Sequence, residues 1–66
     1  MVECPRCDGQ GFVYLGEVLN KKMLICDECD ACWDERMEIR KDNFRDLTTY
    51  LKSMNTTDKV QFVHYI

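Results

Sequence analysis

Cys4-Pro5-Arg6-Cys7-Asp8-Gly9-Gln10-Gly11 is answered further along the chain by Ile25-Cys26-Asp27-Glu28-Cys29-Asp30, giving two Cys-x-x-Cys pairs with 18 residues between Cys7 and Cys26. Two intervening residues make the shortest common loop that brings two thiolates to one ion, and two such pairs at this separation read as a four-thiolate Zn²⁺ site. Cys4, Cys7, Cys26 and Cys29 are therefore the expected ligands. In the first pair Pro5 fixes one φ and the glycines permit positive φ, so backbone N–H groups can turn toward sulfur. Four protein sulfurs fill a tetrahedron and leave no position for water, so such a metal supports folding and performs no hydrolysis.

The rest of the composition explains why a metal is needed. A chain of 66 residues buries a modest core, and domains of this size are commonly held by a metal or by disulfides. At 45% apolar and 32% charged residues the composition is that of a folded domain, and the length allows only one. The cysteine count of five is odd, which fits metal-bound thiolates in a reducing compartment better than a disulfide framework. No basic segment precedes an apolar run at the start, and no apolar stretch approaches the roughly 20 residues of a membrane helix. A soluble cytoplasmic protein without membrane contact is the expectation.

Outward from the first pair, Phe12-Val13-Tyr14-Leu15 and Met23-Leu24-Ile25 flank a polar Asn20-Lys21-Lys22 turn, which predicts a hairpin returning Cys26 and Cys29 to the first knuckle. Trp33, the only tryptophan, falls where a short third strand would fold over that hairpin, as a core residue or as an interface anchor. This is the outline of a zinc ribbon. Between Asn43 and Met54, Phe44, Leu47, Thr48, Leu51 and Met54 recur at helical spacing, with Asn43 as N-cap and Asp46 in the first turn. The apolar stripe of that helix is expected to pack on the ribbon. Val60 to Ile66 is β-prone and predicts a terminal strand, with a short helix as the alternative. The expected fold is a small α+β domain over residues 1–66, with the ribbon in 1–36 and the helix and C-terminal segment in 42–66.

Several residues admit a second reading. Cys32 makes Cys29-x-x-Cys32 a further pair, and the alternative ligand set is Cys4, Cys7, Cys32 and one of Cys26 or Cys29, although the hairpin presents Cys26 and Cys29 in the same way as the first pair; otherwise Cys32 is a small buried hydrophobe. Iron in the same sulfur cage would be a redox centre, and Cys4-Pro5-Arg6-Cys7 resembles a rubredoxin knuckle, but the second pair has Asp27, Glu28 and Asp30 where rubredoxin has Pro and Gly. The lone His64 has no metal-binding neighbour in sequence and is taken as structural. No nucleophile–base spacing or phosphate-cradling glycine loop is present, which argues against an enzyme.

Charge narrows the partner. The formal charge is −3, and a four-thiolate zinc centre adds about −2, so nucleic acid is disfavoured. That alternative would need Lys21, Lys22, Arg40, Lys41 and Arg45 gathered on one face. Asp27, Glu28, Asp30, Asp34, Glu35 and Glu38 place six of the 12 acidic residues in one short stretch, interrupted only by Arg36. With Trp33, the first five are the candidate partner-binding residues, suited to a basic protein surface.

Two resemblances add to this reading. Cys4 to Gly11 is similar to a half-repeat of the cysteine-rich domain of J-domain chaperones, but the second pair lacks the glycines. A longer likeness runs through Cys4 to Gly11, Ile25-Cys26-Asp27-Glu28-Cys29-Asp30-Ala31-Cys32-Trp33, and Phe44 to Leu51, and resembles small bacterial zinc-ribbon immunity proteins of contact-dependent growth inhibition. The resemblance implies a non-enzymatic protein with a structural zinc that occludes a cognate toxin domain, commonly a nuclease. It carries over only the four cysteines and Trp33.

Overall fold

The computed structural model describes residues 1–56 and 58–66 and contains one antiparallel sheet and one short helix. The strands are β1 (Val2–Glu3), β2 (Phe12–Val18), β3 (Lys21–Cys26), β4 (Ala31–Asp34), β5 (Arg45–Asp46) and β6 (Gln61–Tyr65), with α1 spanning Leu47–Ser53 between the last two. The sheet runs β1, β2, β3, β4, β5, and β6 pairs with the same side of β2 that β1 begins. This is a small α+β fold, and residues 42–66 are not a separate appendage, because β5 and β6 belong to the ribbon's own sheet.

The β2–β3 hairpin is tighter than the sequence implies. Val18 pairs directly with Lys21, so the turn is the two-residue Leu19–Asn20, with φ of 52° and 62°. Positive φ at both positions matches the right-handed twist of the flanking strands, and Asn tolerates it. Lys21 and Lys22, expected in the turn, are therefore the first residues of β3.

Alternation then gives the sheet two cores, one on each face. Val13, Leu24, Cys26, Ala31 and Trp33 are buried on one side with Cys4, and Met37, Ile39 and Phe44 pack against them. Val18, Met23, Ile25, Cys32 and Tyr50 are buried on the other, beneath Leu47, Leu51 and Met54 of the helical segment. The expected third strand is β4, and it places Trp33 at 1% exposure. Its indole N–H donates to the Arg40 carbonyl at 2.9 Å and to Asn43 Oδ1 at 2.8 Å, while the Asn43 amide donates to the Glu38 carbonyl at 3.1 Å. These bonds fold the segment between β4 and β5 over the first core.

That use of Asn43 corrects the helix. It caps no helix, because its side chain is committed to Trp33 and to the loop. Arg45 and Asp46 extend to pair with Cys32 and Ala31, and the helix begins only afterwards, with Asp46 as N-cap accepting from the Thr49 N–H at 3.2 Å. Phe44 consequently joins the other face, Thr48 is exposed, and Tyr50 supplies the buried helical side chain. The helix ends in a Schellman motif: Asn55 has φ of 58°, its N–H reaches the Lys52 carbonyl at 3.0 Å, and the Thr56 N–H reaches Leu51 at 3.2 Å.

The expected terminal strand is β6, but with an extra residue. Tyr65 pairs with Tyr14 and His64 with Leu15, yet Gly16 pairs with Phe62, leaving Val63 as a bulge. The bulge brings Phe62 and Tyr65 to the same side as Tyr14, and the three ring centroids lie 5.2 to 6.2 Å apart. Gly16 permits this docking, since a Cβ there would lie 2.5 Å from Val60 Cγ1.

Trp33→Phe removes the side-chain N–H that donates to the Arg40 carbonyl and to Asn43 Oδ1, and should lower unfolding free energy by about 2 to 3 kcal/mol in a denaturant titration, with metal stoichiometry unchanged.

Candidate metal centre

Each knuckle is built by its own backbone. In the first, Cys4 N–H donates to the Gly11 carbonyl at 3.0 Å and Gly9 N–H to the Cys4 carbonyl at 2.9 Å, with Asp8 and Gly9 at φ of 55° and 81°. In the second, the N–H groups of Glu28 and Cys29 both point at Cys26 Sγ from 3.4 Å, and Asp30 leaves the loop at φ of 61° to start β4. Asp27 N–H bonds the Phe12 carbonyl at 3.0 Å, so the second knuckle stands on the first hairpin strand.

The hairpin brings all four sulfurs within 4.8 Å of one another. Cys4 Sγ lies 3.6 Å from Cys29 Sγ, and Cys7 Sγ lies 3.7 Å from Cys26 Sγ. A tetrahedron with metal–sulfur bonds of about 2.3 Å has edges of about 3.8 Å, whereas a disulfide needs about 2.05 Å. The four thiols are free and fit a single tetrahedral metal ion.

The electrostatics point the same way. Burial pushes the Cys4 thiol above its usual range despite N–H groups from Cys7 and Arg6, and pushes Cys26 up to about 12. Burial also opposes ionisation of Cys29, but the Ala31 N–H and bonds from the Cys26, Cys4 and Cys7 thiols outweigh it and hold Cys29 below the ordinary value. Four sulfurs this close cannot all ionise alone, and a cation among them would supply the missing stabilisation.

Cys32 is not a ligand. Alternation along β4 turns Ala31 and Trp33 toward the sulfur cluster and Cys32 away, into the second core with Met23, Ile25 and Tyr50. Burial pushes its thiol up to about 11, with Arg45 pulling down and Asp46, Asp34 and Asp30 pushing further up. His64 is also apart from the cluster; it is exposed, with Nδ1 2.9 Å from the Tyr65 carbonyl oxygen.

The candidate partner residues divide. Trp33 is buried and drops out as a surface anchor. Asp27 is exposed but committed: Oδ1 accepts from the Phe12 N–H at 2.9 Å and Oδ2 from the Tyr65 hydroxyl at 2.8 Å. Glu28 and Asp30 stay exposed beside the sulfurs, and neither forms a salt bridge among the described residues. Asp34 and Glu35 sit at the far end of β4, where Lys21, Lys22 and Arg36 line the same hollow. The acidic stretch is therefore two separate groups, because β4 carries the chain away from the knuckle. The basic residues are likewise divided, with Arg40 paired to Asp42 at 2.7 Å and Arg45 stacked 5.3 Å over Tyr50.

Two contributors were not visible in the sequence. Arg6 donates from Nη1 to the Cys29 carbonyl at 3.0 Å and lies 4.6 Å over the Phe44 ring, clipping one knuckle to the other. Tyr65, remote in sequence, anchors Asp27 between two of the sulfur ligands. Gly11 is required for space as well as for turning: a Cβ there would stand 2.6 Å from Cys26 Sγ and 2.7 Å from Glu28 Cβ. No helix among the described residues is long and apolar enough to cross a membrane. No family model, curated protein or solved structure matches the chain.

Gly11→Ala should displace Cys26 or the second knuckle and weaken metal affinity by about tenfold or more in competition with a chromogenic chelator. A second expectation concerns pH. The unfolded chain ionises Cys32 near 9.0, and the folded one holds the proton to about 11. The stability this site contributes is complete below pH 9.0 and is lost as pH rises toward about 11. Denaturant titrations of the metal-loaded protein should show this loss, and Cys32→Ala should flatten it.

Proposed function

We propose that the chain is a zinc-ribbon immunity protein that binds and neutralises a cognate bacterial toxin domain, a basic nuclease, by occlusion. Zinc is the assigned ion because four thiolates in a tetrahedron suit a d¹⁰ metal with no redox chemistry, and because the site's contribution is to hold two knuckles together. The observation that carries the reading is the pair of exposed carboxylates Glu28 and Asp30 beside a closed four-sulfur cluster, free of salt bridges among the described residues. A four-thiolate zinc carries about −2 of its own, so this end of the molecule would be its most anionic part.

Such a surface steers a basic partner and suits direct blocking of a phosphate-binding active site. Occlusion needs no chemistry from the chain. Asp27 contributes by holding the knuckle to Phe12 and Tyr65, leaving Glu28 and Asp30 to meet the partner. Asp34 and Glu35, interleaved with Lys21, Lys22 and Arg36, would add little to the attraction.

The direct test is growth protection and co-purification when the chain is produced together with the toxin domain encoded beside its gene. Protection should depend on Glu28→Lys and Asp30→Asn, which slow association several-fold at low salt, while Asp34→Asn leaves it near wild type. A chain that neither protects nor co-purifies refutes the assignment, and a red, reversibly reducible native protein would replace zinc with iron.

A further inference from the structure

The outer side of β2 is lined by two strands placed end to end. Glu3 lies opposite Phe12 and Val2 opposite Val13; Tyr65 then lies opposite Tyr14, and β6 continues to Gln61 opposite Glu17. Both strands run antiparallel to β2, so they form one composite edge, running from Gln61 through Tyr65 and on through Val2 to Glu3. With Val63 bulged out, its seven residues oppose six of β2 and span about 20 Å. Beyond β1 and β6 the sheet has no further strand among the described residues, which leaves the outward side of this edge without a strand partner, the Tyr65 carbonyl meeting only the His64 ring at 2.9 Å.

The apolar surface of the molecule collects along the same edge. Of seven exposed large hydrophobic residues among those described, Met1, Val2, Phe62, Val63, Tyr65 and Ile66 lie here, and only Leu19 lies elsewhere. Phe62 is 55% exposed and Val63 45%. Proteins ordinarily guard an open edge with Lys, Pro or inward charges. This edge has neither Lys nor Pro, and Glu3 at its end is its only charged side chain. The Val63 bulge is the one guarding device present.

We propose that this composite edge is a self-association surface, on which two copies pair edge to edge, antiparallel across a two-fold axis, joining two six-stranded sheets into one. A two-fold axis normal to the sheet generates the antiparallel mate of an open edge directly. The charge distribution favours a second copy as the occupant. Each copy carries −3 before the roughly −2 of a four-thiolate zinc centre, so two copies repel least along a strip whose side chains are uncharged apart from Glu3, and antiparallel pairing sends the two Glu3 side chains to opposite ends. A foreign strand would be selected by charged or strongly polar residues, and the middle of this edge offers none but His64. A contact one strand wide is well below the roughly 800 Å² per partner of a standard interface, so the dimer is weak and concentration-dependent.

The test is sedimentation equilibrium of the metal-loaded chain over a wide dilution series, with amide exchange of residues 61–65 followed at the same concentrations. The average mass should climb from 7.9 kDa toward twice that value, and the 61–65 amides should gain protection in parallel. Val63→Lys sets two like charges near the axis and should weaken the dimer by about tenfold or more, with circular dichroism and metal content unchanged. Val2→Lys, outside β6, makes the same test if the first variant folds poorly. A chain that stays monomeric up to its solubility limit overturns the proposal. So does a dimer that neither substitution weakens, or protection of 61–65 that arises only when a different protein is added.

Discussion

Everything in this structure depends on four sulfur atoms, supplied by two loops 18 residues apart, being held within 4.8 Å of one another. A cluster that dense is unfavourable for four free thiols, since burial resists ionisation at Cys4 and Cys26 while protonated sulfurs have little to offer one another. A cation at the centre would turn the same crowding into a crosslink. With eleven buried apolar residues among those described, such a crosslink would stand in for interior that a chain of this length is too short to build.

The sheet distributes what interior there is between two faces. One holds the sulfur cluster and Trp33, roofed by the segment that Asn43 and Arg40 tie to the indole; the other holds Cys32 and Met23, roofed by the helix. Neither face is thick enough to stand alone, and both share the backbone of β2, β3 and β4. Gly11 and Gly16 mark where this economy of space is tightest, one against the Cys26 sulfur and the other against Val60. The polar anchors connect parts that the sulfurs do not reach. Arg6 joins the two knuckles, and Asp27 joins the second knuckle to β2 and β6.

Some features were legible because they depend on local chemistry. The Cys-x-x-Cys spacing named the four clustered cysteines, and the apolar runs named the hairpin and the third strand. Period-two alternation also explains why Cys32 turns away from the cluster. Other features depended on partners far along the chain. Asn43 has the composition of a helix cap, but Trp33 ten residues earlier claims its side chain, and the cap passes to Asp46. The acidic stretch looked continuous because it is continuous in sequence, yet a strand between Ala31 and Asp34 moves its second half to the hairpin end, among lysines.

The sequence by itself determined the sulfur cluster, the antiparallel ribbon around it and the existence of a helix and a terminal strand, since each follows from spacing or periodicity within a few residues. Tertiary structure alone decided which carboxylates remain free, which aromatic residues are buried, and that β1 and β6 share a single outer edge. The physical reason is that these depend on hydrogen-bond partners and strand register between segments distant in the chain, where one residue of bulge at Val63 is enough to choose which side chains meet.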